Sequence, residues 1–438
     1  MTTTRTNNFS RRDFFKLAGG TLAAAAGAYL LPQSVKKALS PMGMVQAANR
    51  PPDLYFASTD GWIYLPPTPA IPPYHPDPLG PDATGKPLNT YIFGFRDVTG
   101  LDPTQVAAQK MKAQHVAPLF WVSQETEFHV KLENLGLQIR PDLTDAHTIH
   151  WHGFRDAIPF FDGEPHGSLS VPMNKSFTYV YRPHEPGTYM YHCHVEDVEH
   201  VHQGMTGLVF VRPASNPKWA YNDASTAFDR EFAFLLTEVW AEAHWADAHI
   251  QLPEWSDYHA DFGLLNGRVY PDTVAPNAPI DTARYSNILA IQRDANGDLV
   301  PPVGRPELQY QPYSSLVTCN AGEKVLLRFA NLGFTPQTMT LTGIKMRVVG
   351  EDATPKRGRD NTDTSYWTSS ISLWSGASYD AIFTAPAYQG PDPYDTYLLY
   401  NRSFLRSNKL DPSGYGGQMT EVRVYPAGTL EAQAAPNT

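Results

Sequence analysis

Two short segments gather the side chains with ligand chemistry. The first is His147-Thr148-Ile149-His150-Trp151-His152-Gly153. The second is Tyr191-His192-Cys193-His194, which runs on through His200 and His202 to Met205. Imidazole, thiolate and thioether groups are soft or borderline donors, suited to copper, zinc or iron rather than to magnesium or calcium. On an extended strand, residues two apart share a face. His150 and His152 therefore point together, His192 and His194 point together, and Cys193 faces the other way. One strand can serve two metal sites on opposite faces. On the cysteine side, Cys193, His200 and Met205 fall on one short strand-to-strand connection, and His147 can reach in from the earlier segment. Two imidazoles, a thiolate and a weak axial Met form the donor set of a blue-copper site. His202 is the rival of His200; His200 is preferred because it lies five positions before Met205. On the opposite side, the four imidazoles of His150, His152, His192 and His194 suit copper, zinc or iron, and the soft neighbouring site favours copper.

These residues must be held by strands. In Thr126–Leu132 the apolar Phe128, Val130 and Leu132 alternate with polar residues, the period of a half-buried strand. Similar runs recur at 176–181 and 207–211, with turns rich in Pro, Gly, Asn and Asp between them. This is an all-β sandwich pattern. It occurs twice. Glu133-Asn134-Leu135-Gly136 is echoed by Ala330-Asn331-Leu332-Gly333, Thr188-Tyr189 by Thr396-Tyr397, and Met205-Thr206 by Met419-Thr420. Three echoes in one order indicate an internal duplication. The expected organisation is one sandwich at 90–213 and a second at 228–427, the latter with an insertion over about 240–310. A Pro-rich arm (48–89) precedes them and a flexible tail (428–438) follows.

Composition narrows the class. The chain has 438 residues, 39 prolines against 31 glycines, and a formal net charge of −10, which argues against a nucleic-acid partner. Two cysteines, Cys193 and Cys319, exclude a disulfide scaffold and a thiolate-rich metal protein. Eleven of the 15 histidines lie between His115 and His202, so the metal chemistry belongs to the first sandwich. His244, His249 and His259 read as exposed loop residues, and Cys319 as a buried free thiol. At the N-terminus, Ser10-Arg11-Arg12-Asp13-Phe14-Phe15-Lys16 precedes an apolar run, Leu17–Leu31, shorter than a membrane span, and small residues near Ala47. Residues 1–47 are expected to be a twin-arginine signal peptide, which places the mature chain in the periplasm or otherwise outside the cytoplasm.

The motifs resemble those of the multicopper oxidases, more narrowly the two-domain, laccase-like branch, and more distantly the copper nitrite reductases. The resemblance implies two cupredoxin-like Greek-key sandwiches. By this resemblance His147, Cys193, His200 and Met205 match type 1 copper ligands, His150 a type 2 ligand, and His152, His192 and His194 ligands of the type 3 pair. The implied activity is copper-dependent oxidoreduction. A small molecule, a metal ion or an electron-transfer protein would be the reductant and oxygen the acceptor; nitrite is the alternative acceptor, and a non-enzymatic blue-copper carrier the alternative role. A homotrimer is the implied assembly. The sequence departs from the family at one place. The second sandwich should supply four more cluster histidines, yet Gln337, Thr340 and Thr342 stand opposite His147, His150 and His152. Tyr400, Asn401 and Arg402 stand opposite His192, Cys193 and His194, and no histidine follows His259.

Overall fold

The first half of the chain forms eight strands: β1 (Leu54–Ile63), β2 (Thr90–Asp97), β3 (Phe120–Ser123), β4 (Phe128–Asn134), β5 (His150–His152), β6 (Ser176–Tyr181), β7 (Gly187–His192) and β8 (Thr206–Arg212). They pair into two four-stranded sheets, ordered β2-β1-β4-β6 and β3-β8-β7-β5. The two sheets enclose an aromatic-rich core that includes Phe56, Phe120, Phe128, Trp151 and Tyr191. This computed structural model describes residues 50–66, 88–284, 287–403, 408–410, 413–415 and 417–438. The segment expected to be a signal peptide lies outside the described residues.

The second half continues with β9 (Arg230–Val239), β10 (Phe262–Leu265), β11 (Val317–Asn320), β12 (Lys324–Asn331), β13 (Gln337–Leu341), β14 (Met346–Glu351) and β15 (Thr354–Pro355). Then come β16 (Tyr366–Thr368), β17 (Ser370–Leu373), β18 (Ser378–Thr384), β19 (Asp395–Asn401), β20 (Asn408–Leu410), β21 (Ser413–Tyr415) and β22 (Met419–Tyr425). One sheet runs β10-β9-β12-β18-β14-β15 and the facing one β11-β22-β19-β13-β17. The pairing scheme of the first half returns here. β1 lies parallel to β4, and β9 parallel to β12. β3 lies parallel to β8, and β11 parallel to β22. The rest of each ladder is antiparallel. The repeated Asn-Leu-Gly has the same physical cause in both copies. The Asn134 side chain accepts from Gly136 N at 2.8 Å and donates to Val171 O at 3.0 Å. Asn331 accepts from Gly333 N at 2.9 Å and donates to Leu373 O at 3.2 Å. Asn suits the position because its amide folds back on the local backbone while still reaching a second segment.

Two expectations need correction. Residues 54–63 are no arm: β1 is an interior strand, hydrogen-bonded to both β2 and β4. Its Pro-poor stretch is the part that pairs, since proline cannot donate to a ladder. The tail is not free either. Asn437 is buried, accepts from Ala233 N at 2.7 Å and donates to Ala233 O at 2.9 Å, extending the β9 edge. After β2 comes a short helix, α1 (Pro103–Ala107), closed at its start by a capping box between Asp102 and Gln105. After α1 the chain presses onto the β1–β2 face, and two glycines make room. A Cβ on Gly61 would sit 2.8 Å from Ala113 N, and one on Gly94 would sit 2.8 Å from Gln114 O. Both obstacles are backbone atoms, so Gly61→Ala should lower the denaturation midpoint by the equivalent of about 1–3 kcal/mol, the usual cost of overpacking. Denaturant titration followed by tryptophan fluorescence measures it; an unchanged midpoint would show that the 113–114 segment can yield.

Candidate metal centres

The two histidine segments meet on the β3-β8-β7-β5 sheet. His150 of β5 pairs with His192 of β7, Trp151 with Tyr191, and His152 with Met190. Alternation then sorts the side chains as strand geometry requires. Trp151, Tyr191 and Cys193 turn into the core, while the imidazoles turn to the other face.

On the core side, Cys193 Sγ lies 3.3 Å from His200 Nδ1 and 3.8 Å from His147 Nδ1. One ligand atom from each of the three residues falls within 4.8 Å of the others. All three are buried. Thr148 N donates to Cys193 Sγ at 3.5 Å, the type of contact that tunes a copper–thiolate bond. His200 does not come from a loop, as its sequence surroundings imply, but from a helix, α2 (Asp197–Gln203). The backbone of Glu196 enters that helix in the left-handed region, with φ 45°. The turn delivers His200 inward, and its far nitrogen, Nε2, lies 3.4 Å from the Asp145 carboxylate. Such an outer partner fixes the tautomer of a metal-binding imidazole. Met205 closes the connection: its N donates to His200 O at 2.9 Å and its O accepts from Cys193 N at 3.1 Å, with the side chain fully buried in the same core. His202 points elsewhere. Its Nε2 accepts from Trp240 N at 3.1 Å, and its ring packs on His244, Trp255, Tyr258 and Phe334.

On the opposite face, ring centroids of His150 and His194 are 4.9 Å apart, those of His150 and His192 5.2 Å, and those of His152 and His192 5.5 Å. Their outer nitrogens are engaged. His150 Nδ1 donates to Asp162 O at 2.8 Å and His192 Nδ1 to Cys193 O at 2.8 Å, which leaves both Nε2 lone pairs facing inward. His152 Nδ1 and His192 Nε2 face each other at 3.3 Å. One nitrogen from each of His150, His152 and His192 falls within 4.8 Å of the others. His194 stands beside this trio, held by its N–H to Thr148 Oγ1 at 2.9 Å.

Burial keeps His147, His150, His152 and His192 in the neutral form a metal needs. Burial holds His147 well below the usual histidine range, with His200 adding to the effect. Burial also lowers His150 and His152, and it pushes His192 down to about 3. A neutral imidazole is the ligating form. His200 behaves oppositely. Burial alone would lower it, but Cys193 and the Asp145 carboxylate raise it to about 10. Positive charge is favoured at that point, next to the sulfur. The two donor sets therefore fit copper, soft sulfur and imidazole on one face and imidazole alone on the other.

The duplicated positions of the second sandwich hold no such set. Thr340 pairs with Tyr400 where His150 pairs with His192. Where His147 meets Cys193, Gln337 meets Asn401, and the Asn401 amide donates to both Gln337 Oε1 and Gln418 Oε1. Gln337 Nε2 donates to Glu238 Oε1 at 2.6 Å and Gln418 Nε2 to Thr237 O at 3.2 Å. These are buried, mutually satisfied amides. The insertion histidines do not complete the site. His244, read from sequence as exposed, is buried on α3 (Ala241–Ala248), with Nδ1 2.5 Å from Tyr91 O. His249 stacks on Trp245, and His259 is in contact with Trp240. Cys319 is buried and unbridged, its thiol pushed up to about 12 by burial.

With this geometry in view, residues 102–216 match the family model for multicopper oxidases. An L-ascorbate oxidase from Brassica rapa subsp. pekinensis is 25% identical over 261 residues, 58% of this chain and 40% of that protein. Copper resistance protein A from Pseudomonas syringae pv. tomato is 25% identical over 291 residues, 62% of this chain and 44% of the relative. The match thus spans less than half the length of either relative. Among solved structures, a blue copper oxidase from Nitrosomonas europaea superposes with a TM-score of 0.54 at 18% identity, covering 84% of this chain and 85% of that one. The multicopper oxidase mgLAC gives 0.55 at 16% identity, covering 87% of each chain. The fold is therefore that of paired cupredoxin-like sandwiches, and the sequence likeness to multicopper oxidases lies in residues 102–216.

Proposed function

We propose that the protein is an exported, copper-dependent oxidoreductase that draws electrons from a reductant and delivers them to oxygen. One observation carries this reading: β7 and the two residues after it present Cys193 to one donor set and His192 and His194 to another, on opposite faces of one extended segment. His147, Cys193, His200 and Met205 would hold one copper, and His150, His152, His192 and His194 a second centre. Bound copper supplies one-electron redox chemistry at each. Cys193 is bonded in sequence to both His192 and His194, so a covalent route of a few bonds links the two faces. Asp145 orients His200, and Asp162 orients His150 through its carbonyl. The Arg11-Arg12 motif supports export by the twin-arginine route.

Thr340, Thr342, Tyr400 and Arg402, which stand opposite His150, His152, His192 and His194, favour a smaller second centre than the family's cluster, and they keep a blue-copper carrier as the second reading. Copper analysis of the purified chain, with oxygen uptake in the presence of a phenol or a metal-ion reductant, separates the two. The oxidoreductase reading expects two or more coppers per chain and uptake above that of the copper-free protein. One copper without oxygen or nitrite turnover would establish the carrier. A folded chain that takes up no copper would refute both.

A further inference from the structure

The imidazole face opens into a cavity of about 490 Å³ whose walls come from both sandwiches. The first supplies His150, His152, Arg155 and Asp162; the second supplies Asp352, Gly376 and Ser378. Among the described residues, His150, His152, Arg155, Asp162 and Asp352 are the charged and imidazole groups of the lining. Arg155 is engaged by Glu185 at 3.0 Å and by Thr354 Oγ1 at 2.6 Å. Asp162 sits behind His150, with its carboxylate 3.7 Å from the same Nδ1 that donates to its carbonyl. That leaves Asp352 as the acid on the His152 side. A divalent cation held by neutral imidazoles carries its whole charge into this partly enclosed space, and a carboxylate across it offsets that charge.

Asp352 is held for such a task. It and Ala353 both adopt left-handed backbone, with φ 48° and 51°, which is unusual away from glycine. The conformation is fixed by a reciprocal pair: Asp352 N donates to Ser378 O, and Ser378 N donates to Asp352 Oδ1, each at 2.9 Å. The neighbouring Trp374–Ala377 turn brings the second sandwich up to His152. A Cβ on Gly376 would lie 3.1 Å from His152 Nε2, so glycine permits this approach.

We infer that Asp352 is the positioning carboxylate of the imidazole centre, contributed by the second sandwich in place of the missing histidines. This rests on the proposed reading that His150, His152 and His192 hold copper. The residue acts through space on the bound cation and on His152.

Asp352→Asn tests the inference cleanly. Asparagine keeps the acceptor for Ser378 N and tolerates left-handed backbone, so only the charge is removed. Copper affinity is read by competition with a chelator of known strength, alongside the paramagnetic resonance signal of the non-blue copper. The affinity of the second centre should fall about 10- to 100-fold, the usual effect of losing an outer partner of a metal site. Its resonance signal should shift, while the blue absorption and circular dichroism stay as in wild type. An unchanged second-centre affinity, in a wild-type background that binds two coppers, overturns the role of Asp352 alone. A wild-type chain that binds only one copper overturns the reading beneath it, and the inference with it.

Discussion

Replacing Cys193 with serine should abolish intense visible absorption and remove one copper per chain. The sulfur is the nearest shared neighbour of His147 and His200, at 3.8 and 3.3 Å. Intense blue colour requires a copper–thiolate bond, and a serine hydroxyl is too weak an acid and too hard a donor to replace it. The pocket is fully buried within a packed core, so no other thiol can move in; Cys319 lies on β11 of the second sandwich. The loss should be selective. His150, His152 and His192 face away from Cys193 and keep their hydrogen bonds, so the second centre should still load. Visible absorption and copper analysis of Cys193→Ser against wild type decide the matter. Retained colour would refute the assignment of the sulfur. Loss of all copper would refute the independence of the two faces.

The largest stability effect is expected at Arg328. This side chain is completely buried between the sandwiches. Its Nε donates to Glu231 at 3.1 Å, and its Nη1 donates to Asp380 at 3.3 Å and to Thr188 Oγ1 at 3.1 Å. Thr188 in turn donates to Asp380 at 2.6 Å, and Tyr221 donates to its other oxygen at 2.7 Å. Arg212 pairs with the far side of Glu231. The guanidinium also lies over the Phe210 ring, 4.5 Å from its centroid. Two carboxylates and two guanidinium groups balance where β7 and β8 meet β9, β12 and β18. Arg328→Met preserves bulk and removes the charge. It leaves Asp380 without a cationic partner in a buried site, a change that typically costs about 3–5 kcal/mol. The denaturation midpoint should fall accordingly, and the double variant Arg328→Met with Asp380→Asn should recover part of the loss. A shift below about 1 kcal/mol, the value of an exposed pair, would show that water reaches this seam.

The donor residues were legible because their logic is local. Alternation along a strand separates Cys193 from His192 and His194 without knowledge of the rest of the molecule, and the register of β5 with β7 follows the same alternation. The choice of His200 over His202 rested on spacing, and the fold places the two rings in different surroundings. What stayed hidden depends on partners far along the chain. Asp197-Val198-Glu199-His200-Val201-His202-Gln203 carries two β-branched valines and no side-chain cap, so nothing local marks it as helix. β1 becomes an interior strand only because β4, more than 60 residues later, lies parallel beside it. Asn437 is fixed by the edge of β9, some 200 residues away. Asp352 reaches the imidazole cavity through sheet packing that no motif records.

The amide cluster of Gln337, Asn401 and Gln418 has a consequence for how the protein matures. Its hydrogen bonds are closed by Glu238 and by backbone oxygens, all supplied by the polypeptide. The C-terminal half is thus finished as soon as it folds. The equivalent hub of the N-terminal half, around Cys193, instead gathers a thiol and two imidazoles within 4.8 Å, the donor set proposed above for copper. On the proposed reading, copper supply would govern the hub around Cys193 and leave the amide cluster untouched. Chains made without copper would then have their architecture set before that hub is filled.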